Sequence, residues 1–301
     1  MWFKNLQLYR LPSPWDITID RLAEQLGRLT FQPCGSQDLM SRGWTAPVQD
    51  GGLVHSVGGQ WMVALTVEQR LLPTSVVNEV SEERAEEIEA QQGYKPGRKQ
   101  LKEIKEAVMQ ELLPRAFTRR RRTYAWIDPQ GGWLAIDTSS RKGADVVIEA
   151  LTKALDELPL KLLNTRMSPA AAMTGWLAEG EAPGAFTIDQ DCELASVADE
   201  KSAVRYVRHT LEGDEIREHI ASGKQVTRLA LTFDDRISLV FNDKFEVKRL
   251  QMLDIVKESA GTQDAASREE QFDADFALMT GELQRLIPAL VDTLGGEEPT
   301  I

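Results

Sequence analysis

Arg115, Arg119, Arg120, Arg121 and Arg122 place five guanidinium groups within eight positions, with no acid among them. Guanidinium forks match phosphate oxygens in geometry and charge, so the chemistry on offer is the binding of a polyanion. The residues that follow, through Tyr124, Trp126 and Ile127, favour extended backbone, so the arginines open a β-strand. A strand sends successive side chains to opposite faces. Arg119 and Arg121 are therefore expected on one face, and Arg120 and Arg122 on the other. The plain alternative is a solvated strand end whose charge is balanced by acids elsewhere. Phe117 sits inside the cluster, just past Pro114, where a helix gives way to the strand. It is either a core plug or an interface anchor flanked by arginines, the pattern of association hot spots.

Other candidate chemistry is sparse. Gly223-Lys224 resembles the end of a phosphate-binding loop, but Glu218 stands where its first glycine belongs and Gln225 where Ser or Thr belongs. No Gly-x-Gly-x-x-Gly occurs. His55, His209 and His219 have no neighbours at metal or triad spacing and read as ordinary residues. Cys34 and Cys192 are too few for a disulfide framework or a zinc site, which fits a reducing cytoplasm. Glu269, Glu270, Asp273 and Asp275 offer ligands to a divalent ion, or else a solvated helix face opposite Phe272, Phe276 and Leu283.

The formal net charge of −12 argues against a nucleic-acid partner only until its distribution is read. Residues 254–301 hold eleven acids against three bases, a net of −8, whereas residues 94–122 carry ten bases and three acids, a net of +7. A second basic group comprises Lys201, Arg205, Arg208, Arg217, Lys224 and Arg228. Salt screens charges beyond about 8 to 10 Å, so the local field decides what a surface attracts. No apolar run approaches the roughly 18 residues of a membrane span, and the N-terminus lacks the layout of a signal peptide.

The elements that position these residues can be read from periodicity and punctuation. A strand over 2–11 ends at Pro12-Ser13-Pro14, and a helix over 16–29 shows Ile19, Leu22, Leu26 and Leu29 on one face. Loop and short strand follow, with Trp44 as an anchor, then a strand over 60–71. Pro73 opens an acidic helix, Gly93 to Gly97 breaks it, and a basic helix over 98–113 returns. The two arms predict a helical hairpin whose opposite charges neutralise each other. After the arginine strand come a hairpin turn at 129–132, a strand over 133–138, a helix over 142–157, a short strand over 160–164 and a helix opened by Ser168-Pro169. Strands near 185–190, 203–210, 225–233, 238–242 and 245–250 and a helix over 214–221 follow, with Asp234-Asp235 as a turn. The C-terminal helix over 267–294 is expected to be interrupted near Pro288. The class is α+β, with multi-lobed mixed sheets, a helical hairpin and a C-terminal helix. Four units are expected: a central lobe from 1–74 with 115–180, a hairpin over 75–114, a β-rich lobe over 181–252 and an acidic helical segment over 253–301.

Several segments together resemble the bacterial recombination-associated protein RdgC family. They are Trp2-Phe3-Lys4-Asn5-Leu6, Phe31-Gln32-Pro33-Cys34-Gly35-Ser36-Gln37-Asp38 with Gly43-Trp44, Leu112-Leu113-Pro114-Arg115-Ala116-Phe117 with Trp126-Ile127-Asp128, Gly223-Lys224 with Val226-Thr227, and Phe272-Asp273-Ala274-Asp275-Phe276 running on to Leu283. The resemblance runs from end to end in the same order. It implies a sequence-independent DNA-binding protein of the nucleoid, a ring-shaped homodimer that encircles duplex DNA and restrains a RecA-type recombinase. It implies no catalytic residue and no cofactor. Phe117 is carried over as part of a dimer contact and Lys224 as a DNA contact. The arginine run is not carried over; Arg115, Arg119 to Arg122, Arg205, Arg208 and Arg228 are DNA-facing candidates on charge alone. Two rivals stand beside this reading: a module that binds the recombinase without touching DNA, and a magnesium-dependent nuclease built on Asp273 and Asp275.

Overall fold

The computed structural model describes residues 2–196, 202–259 and 267–298. Lys201 and the parts of the acidic C-terminal segment at 260–266 and 299–301 lie outside the described residues. In chain order the elements are β1 (Leu6–Arg10), α1 (Ile19–Leu26), β2 (Met40–Thr45), β3 (Val54–Val57), β4 (Gln60–Arg70), α2 (Thr74–Gln92), α3 (Arg98–Leu112), β5 (Thr118–Asp128), β6 (Trp133–Ile136), α4 (Arg141–Ala154), β7 (Lys161–Leu162), α5 (Pro169–Glu179), β8 (Phe186–Ser196), β9 (Ala203–Tyr206), α6 (Asp214–Ala221), β10 (Lys224–Phe233), β11 (Ile237–Asn242), β12 (Glu246–Met252), α7 (Asp254–Ser259) and α8 (Arg268–Asp292).

The class is α+β, but the sheets are not mixed. The strands join in one twelve-stranded sheet of order β2-β4-β5-β6-β1-β12-β11-β10-β8-β9, with β3 beside β4 and β7 beside β1. Every ladder between named strands is antiparallel. The joint is the pairing of β1 with β12, Leu6 opposite Val247 and Gln7 opposite Glu246. That pairing spans almost the whole chain, so no local pattern announces it.

Two cores lie on the two faces of this sheet. Alternation along β1 sends Leu6 and Leu8 into one core and Tyr9 and Leu11 into the other. In β4, Met62 joins the first and Trp61, Val63 and Leu65 the second. Helices α1 and α4 close the second core through Leu22, Leu26, Val147 and Leu151; α5, α6 and α8 close the first through Met173, Trp176, Ile216, Phe276 and Leu283. Pro288 does not interrupt α8, which runs unbroken to Asp292. The lost N–H costs a hydrogen bond, but Leu286, Ile287, Leu290 and Val291 on either side are buried and hold the helix against the sheet.

The hairpin stands apart, with a small core of Val77, Ile104 and Val108. Gly93 ends α2 at φ +83, a left-handed conformation that glycine adopts without penalty. The expected neutralisation between the arms is not what holds it. Lys99 and Lys102 pair along their own helix with Glu103 and Glu106, at 3.9 and 3.6 Å. Among the described residues, the ion pair that crosses the hairpin has the reverse sense, Arg84 of the acidic arm with Glu111 of the basic arm at 2.6 Å. The α2 glutamates lie on the side away from Val77 and Ile88, so they cannot meet the lysines of α3.

Candidate nucleic-acid interface

The arginine run occupies the first half of β5, in register with β4: Arg119 opposite Gln69, Arg120 opposite Glu68, Arg121 opposite Val67 and Arg122 opposite Thr66. Strand β6 pairs only with Ala125 to Asp128, so the arginine half has a neighbouring strand on one side. Arg119 to Arg122 are all exposed. Charged side chains on such an edge also deter pairing with stray strands.

The two faces of the run differ. Arg120 is anchored: its Nε donates to Glu68 Oε1 at 2.6 Å, and its guanidinium lies 5.4 Å from the Phe31 ring. Glu68 is only 3% exposed and also accepts the Cys34 backbone N–H at 2.6 Å. The Arg120 guanidinium, helped by that N–H, holds the Glu68 carboxyl below the usual carboxylate range. Phe31 reaches this place because Gly43 has no side chain; a Cβ there would meet the Phe31 backbone at 2.4 Å. Arg122 leans toward the Tyr124 ring, 6.0 Å away, on the same face. On the other face, Arg119 and Arg121 form no ion pair among the described residues, and neither does Arg115 in the turn before the strand. Asp137, whose carboxyl burial pushes up against the pull of the Lys4 and Asn5 N–H groups, is near enough to feel Arg121.

Phe117 is 85% exposed, so it is no core plug. Its carbonyl accepts the Leu71 N–H at 2.7 Å, and the Arg70 guanidinium donates to the Pro114, Ala116 and Gly35 carbonyls at 3.3, 3.1 and 3.0 Å. The turn bearing Phe117 is thereby fixed in place.

The second basic group lies in the β8–β12 half. Arg228, Glu193 and Arg205 stand in one row across β10, β8 and β9. Arg228 is 3.5 Å from Glu193. A register shift between Val226 and Arg228 turns Arg228 away from the core that Val226 enters. Arg208, at φ +52, donates its backbone N–H to Asp191 at 2.8 Å. Lys224 stands beside His219 Nδ1 and Ser222 Oγ, at 3.3 and 3.4 Å. Lys224 and Arg228 therefore share β10, while the run at Arg119 belongs to a strand five places away in the sheet.

Sequence reading missed two cations here. Lys248 and Arg249 line one small cavity with Arg205 and Arg228. Alternation would send adjacent residues to opposite faces, but β12 has an irregularity opposite Ser238 to Val240, and Arg249 takes φ +51. Both have acid partners, Lys248 with Glu246 at 2.8 Å and Arg249 with Asp191 at 3.2 Å. A groove of roughly 800 Å³ continues from this face to the N-terminus of α4, with Arg141, Arg228, Lys244 and Lys248 on its walls beside Glu193 and Glu246.

The acids considered as metal ligands are dispersed. Asp273 faces His55 at 2.9 Å, and Asp275 accepts from Gln271 at 2.9 Å. No group of three potential ligands is gathered among the described residues. Burial pushes the Cys192 thiol up to about 12, so it is inert as a nucleophile. No helix among the described residues is long and apolar enough to cross a membrane.

A family model described as "Putative exonuclease, RdgC" matches residues 1–297. The chain is 61% identical over 301 residues to the recombination-associated protein RdgC of Dechloromonas aromatica, covering 99% of this chain and 98% of that one. It is 53% identical over 298 residues to the protein of the same name from Cupriavidus necator, and 52% over 297 residues to that of a Janthinobacterium, each covering 99% of both chains.

Proposed function

The chain belongs to the RdgC family of recombination-associated proteins, and from that premise we propose that it binds double-stranded DNA without reading its sequence. Two copies close as a ring around the duplex and restrain a RecA-type recombinase by occupying its substrate. The protein acts in the cytoplasm, on the nucleoid, and needs no cofactor for this.

One observation carries the reading: in a chain of net charge −12, the exposed Arg119 and Arg121 share a strand face and have no ion-pair partner among the described residues. Unneutralised guanidinium groups on a rigid strand suit phosphate oxygens, whose positions do not depend on base sequence. Arg115 extends this free charge, and Lys224, Arg205 and Arg228 offer a second stretch of contacts. Arg120 serves chiefly to hold Glu68 and the loop at Phe31.

Binding titrations of unrelated duplexes of equal length, at several salt concentrations, test the proposal. With about 6 to 10 phosphates engaged, affinity should fall by roughly 10³ to 10⁵ between about 50 and 200 mM salt, equally for each duplex. A flat salt response would favour a module that binds the recombinase directly. Nuclease action rests on the description of the family model alone, and adding magnesium to the same samples tests it: cleaved duplex would replace binding as the activity.

A further inference from the structure

Lys224 opens β10, and the turn that brings the chain to it from α6 is tightly fixed. Gly223 takes φ +88, where a side chain would be strained, and its N–H donates to the Ile220 carbonyl at 2.9 Å. Ser222 donates its N–H to the Glu218 carbonyl at 2.9 Å and its hydroxyl to the His219 carbonyl at 2.7 Å. The turn folds Lys224 back along the end of α6. Its Nζ reaches His219 Nδ1 at 3.3 Å and Ser222 Oγ at 3.4 Å, and it forms no ion pair among the described residues. A cation free of acid partners is thus held by an imidazole and a hydroxyl.

Of these two acceptors, only the imidazole is of a kind that changes charge between about pH 5 and 8. In the neutral ring Nδ1 accepts from the ammonium and Nε2 carries the proton. In the imidazolium Nδ1 has no lone pair to offer, and the ring bears a like charge 3.3 Å from the lysine. The step that ends the hydrogen bond therefore also repels the ammonium. The flexible lysine stem can then turn to another partner.

The other groups around this pair leave the imidazole in control. On α6, Glu215 lies one turn before His219, and Arg217 and Glu218 stand close in the chain; all three are exposed. Glu215 faces His209 at 3.6 Å and Arg217 faces Asp214 at 3.8 Å. From β9 the Tyr206 ring approaches both histidines, 6.3 Å from His219 and 5.2 Å from His209, and a phenol is neutral in this range. Helix α5, packed on β10 through the Thr174 hydroxyl, brings Glu179 as its one charged residue. None of these carboxylates pairs with Lys224.

We propose that His219 is a positioning residue for DNA binding: neutral, it holds Lys224 against α6, and protonated, it releases the ammonium to a phosphate. The inference rests on the DNA reading above, in which Lys224 is a contact, and adds proton control of that contact. Affinity for duplex should rise as pH falls through the imidazole range. One hydrogen bond corresponds to a factor of about two to ten, and that is the rise expected for each copy engaged.

Titration of one duplex with the whole chain between about pH 8 and 6, at fixed ionic strength, tests it. His219→Gln keeps an acceptor that takes up no proton, so it should stay at the wild-type affinity of the alkaline end throughout. His219→Ala removes the acceptor and should bind about two- to tenfold more tightly than wild type does there. Lys224→Ala should bind more weakly and lose the rise. His209→Gln, whose ring does not touch Lys224, should keep it. A rise that survives in His219→Gln or in Lys224→Ala overturns the inference while leaving DNA binding. So does a folded His219→Ala variant no tighter than wild type at the alkaline end. If thermal melting shows that His219→Ala is unfolded, the Gln and Lys224 variants decide. A wild-type protein that binds no duplex at any pH overturns the DNA reading, and the role of His219 falls with it.

Discussion

Across β8–β12 three cations sit beside acids, Arg228 with Glu193, Lys248 with Glu246 and Arg249 with Asp191, while Lys224 and Arg205 form no ion pair among the described residues. Along β5 only Arg120 has such a partner among the described residues; Arg119 and Arg121 form no ion pair, though Asp137 lies near enough to feel Arg121. Both regions look basic in a count of residues, yet they present different fields to an approaching polyanion. A paired cation must loosen its acid before it can serve a phosphate, whereas an unpaired one releases only counterions. The contrast recurs within β5 itself, between its two faces.

The largest expected effect comes from removing the free charge. Arg119→Glu with Arg121→Glu should leave the fold intact and lower the slope of log affinity against log salt by about two. Arg205→Glu with Arg228→Glu should lower it by less, because Glu193 already offsets part of their charge. Equal slopes in the two double variants would erase the distinction between the regions.

Phe117→Ser should act next most strongly, and through a different route. An exposed anchor contributes on the order of 2 kcal/mol to a contact, so DNA should dissociate faster while thermal melting hardly moves. A large fall in melting temperature with unchanged DNA release would contradict the exposed placement of this ring.

The smallest effect on DNA, and the clearest on pH dependence, belongs to Arg120→Ala. The folded Glu68 carboxyl ionises below its unfolded value, so its contribution is complete above the usual carboxylate pKa and is lost as pH falls through the folded value. Arg120→Ala should therefore melt earlier than wild type near pH 7, and the two melting curves should converge in acid. A gap that stays constant down to acid pH would mean that the ion pair contributes nothing. Salt dependence of DNA binding should change little in this variant.

Much of the local architecture was legible. The hairpin of α2 and α3, the turn at Asp234-Asp235, the Ser168 cap of α5 and the two faces of the arginine run follow from dihedral preferences and from periods of 3.6 and 2. Each depends on residues close together in the chain, where the sequence speaks directly. The resemblance named the family, and the comparisons agree.

Tertiary structure decided which charges are free. Nothing near Arg120 announces Glu68, some fifty residues earlier, and nothing near β1 announces its pairing with β12. The irregularity that gathers Lys248 and Arg249 on one cavity breaks the very alternation from which a reader would assign their faces. Propensity and period are properties of a short window, whereas neutralising a charge needs two residues within 4 Å whatever their separation in sequence. The sequence by itself determined that cations lie on strands of this sheet, and folding determined which of them keep their charge for a partner.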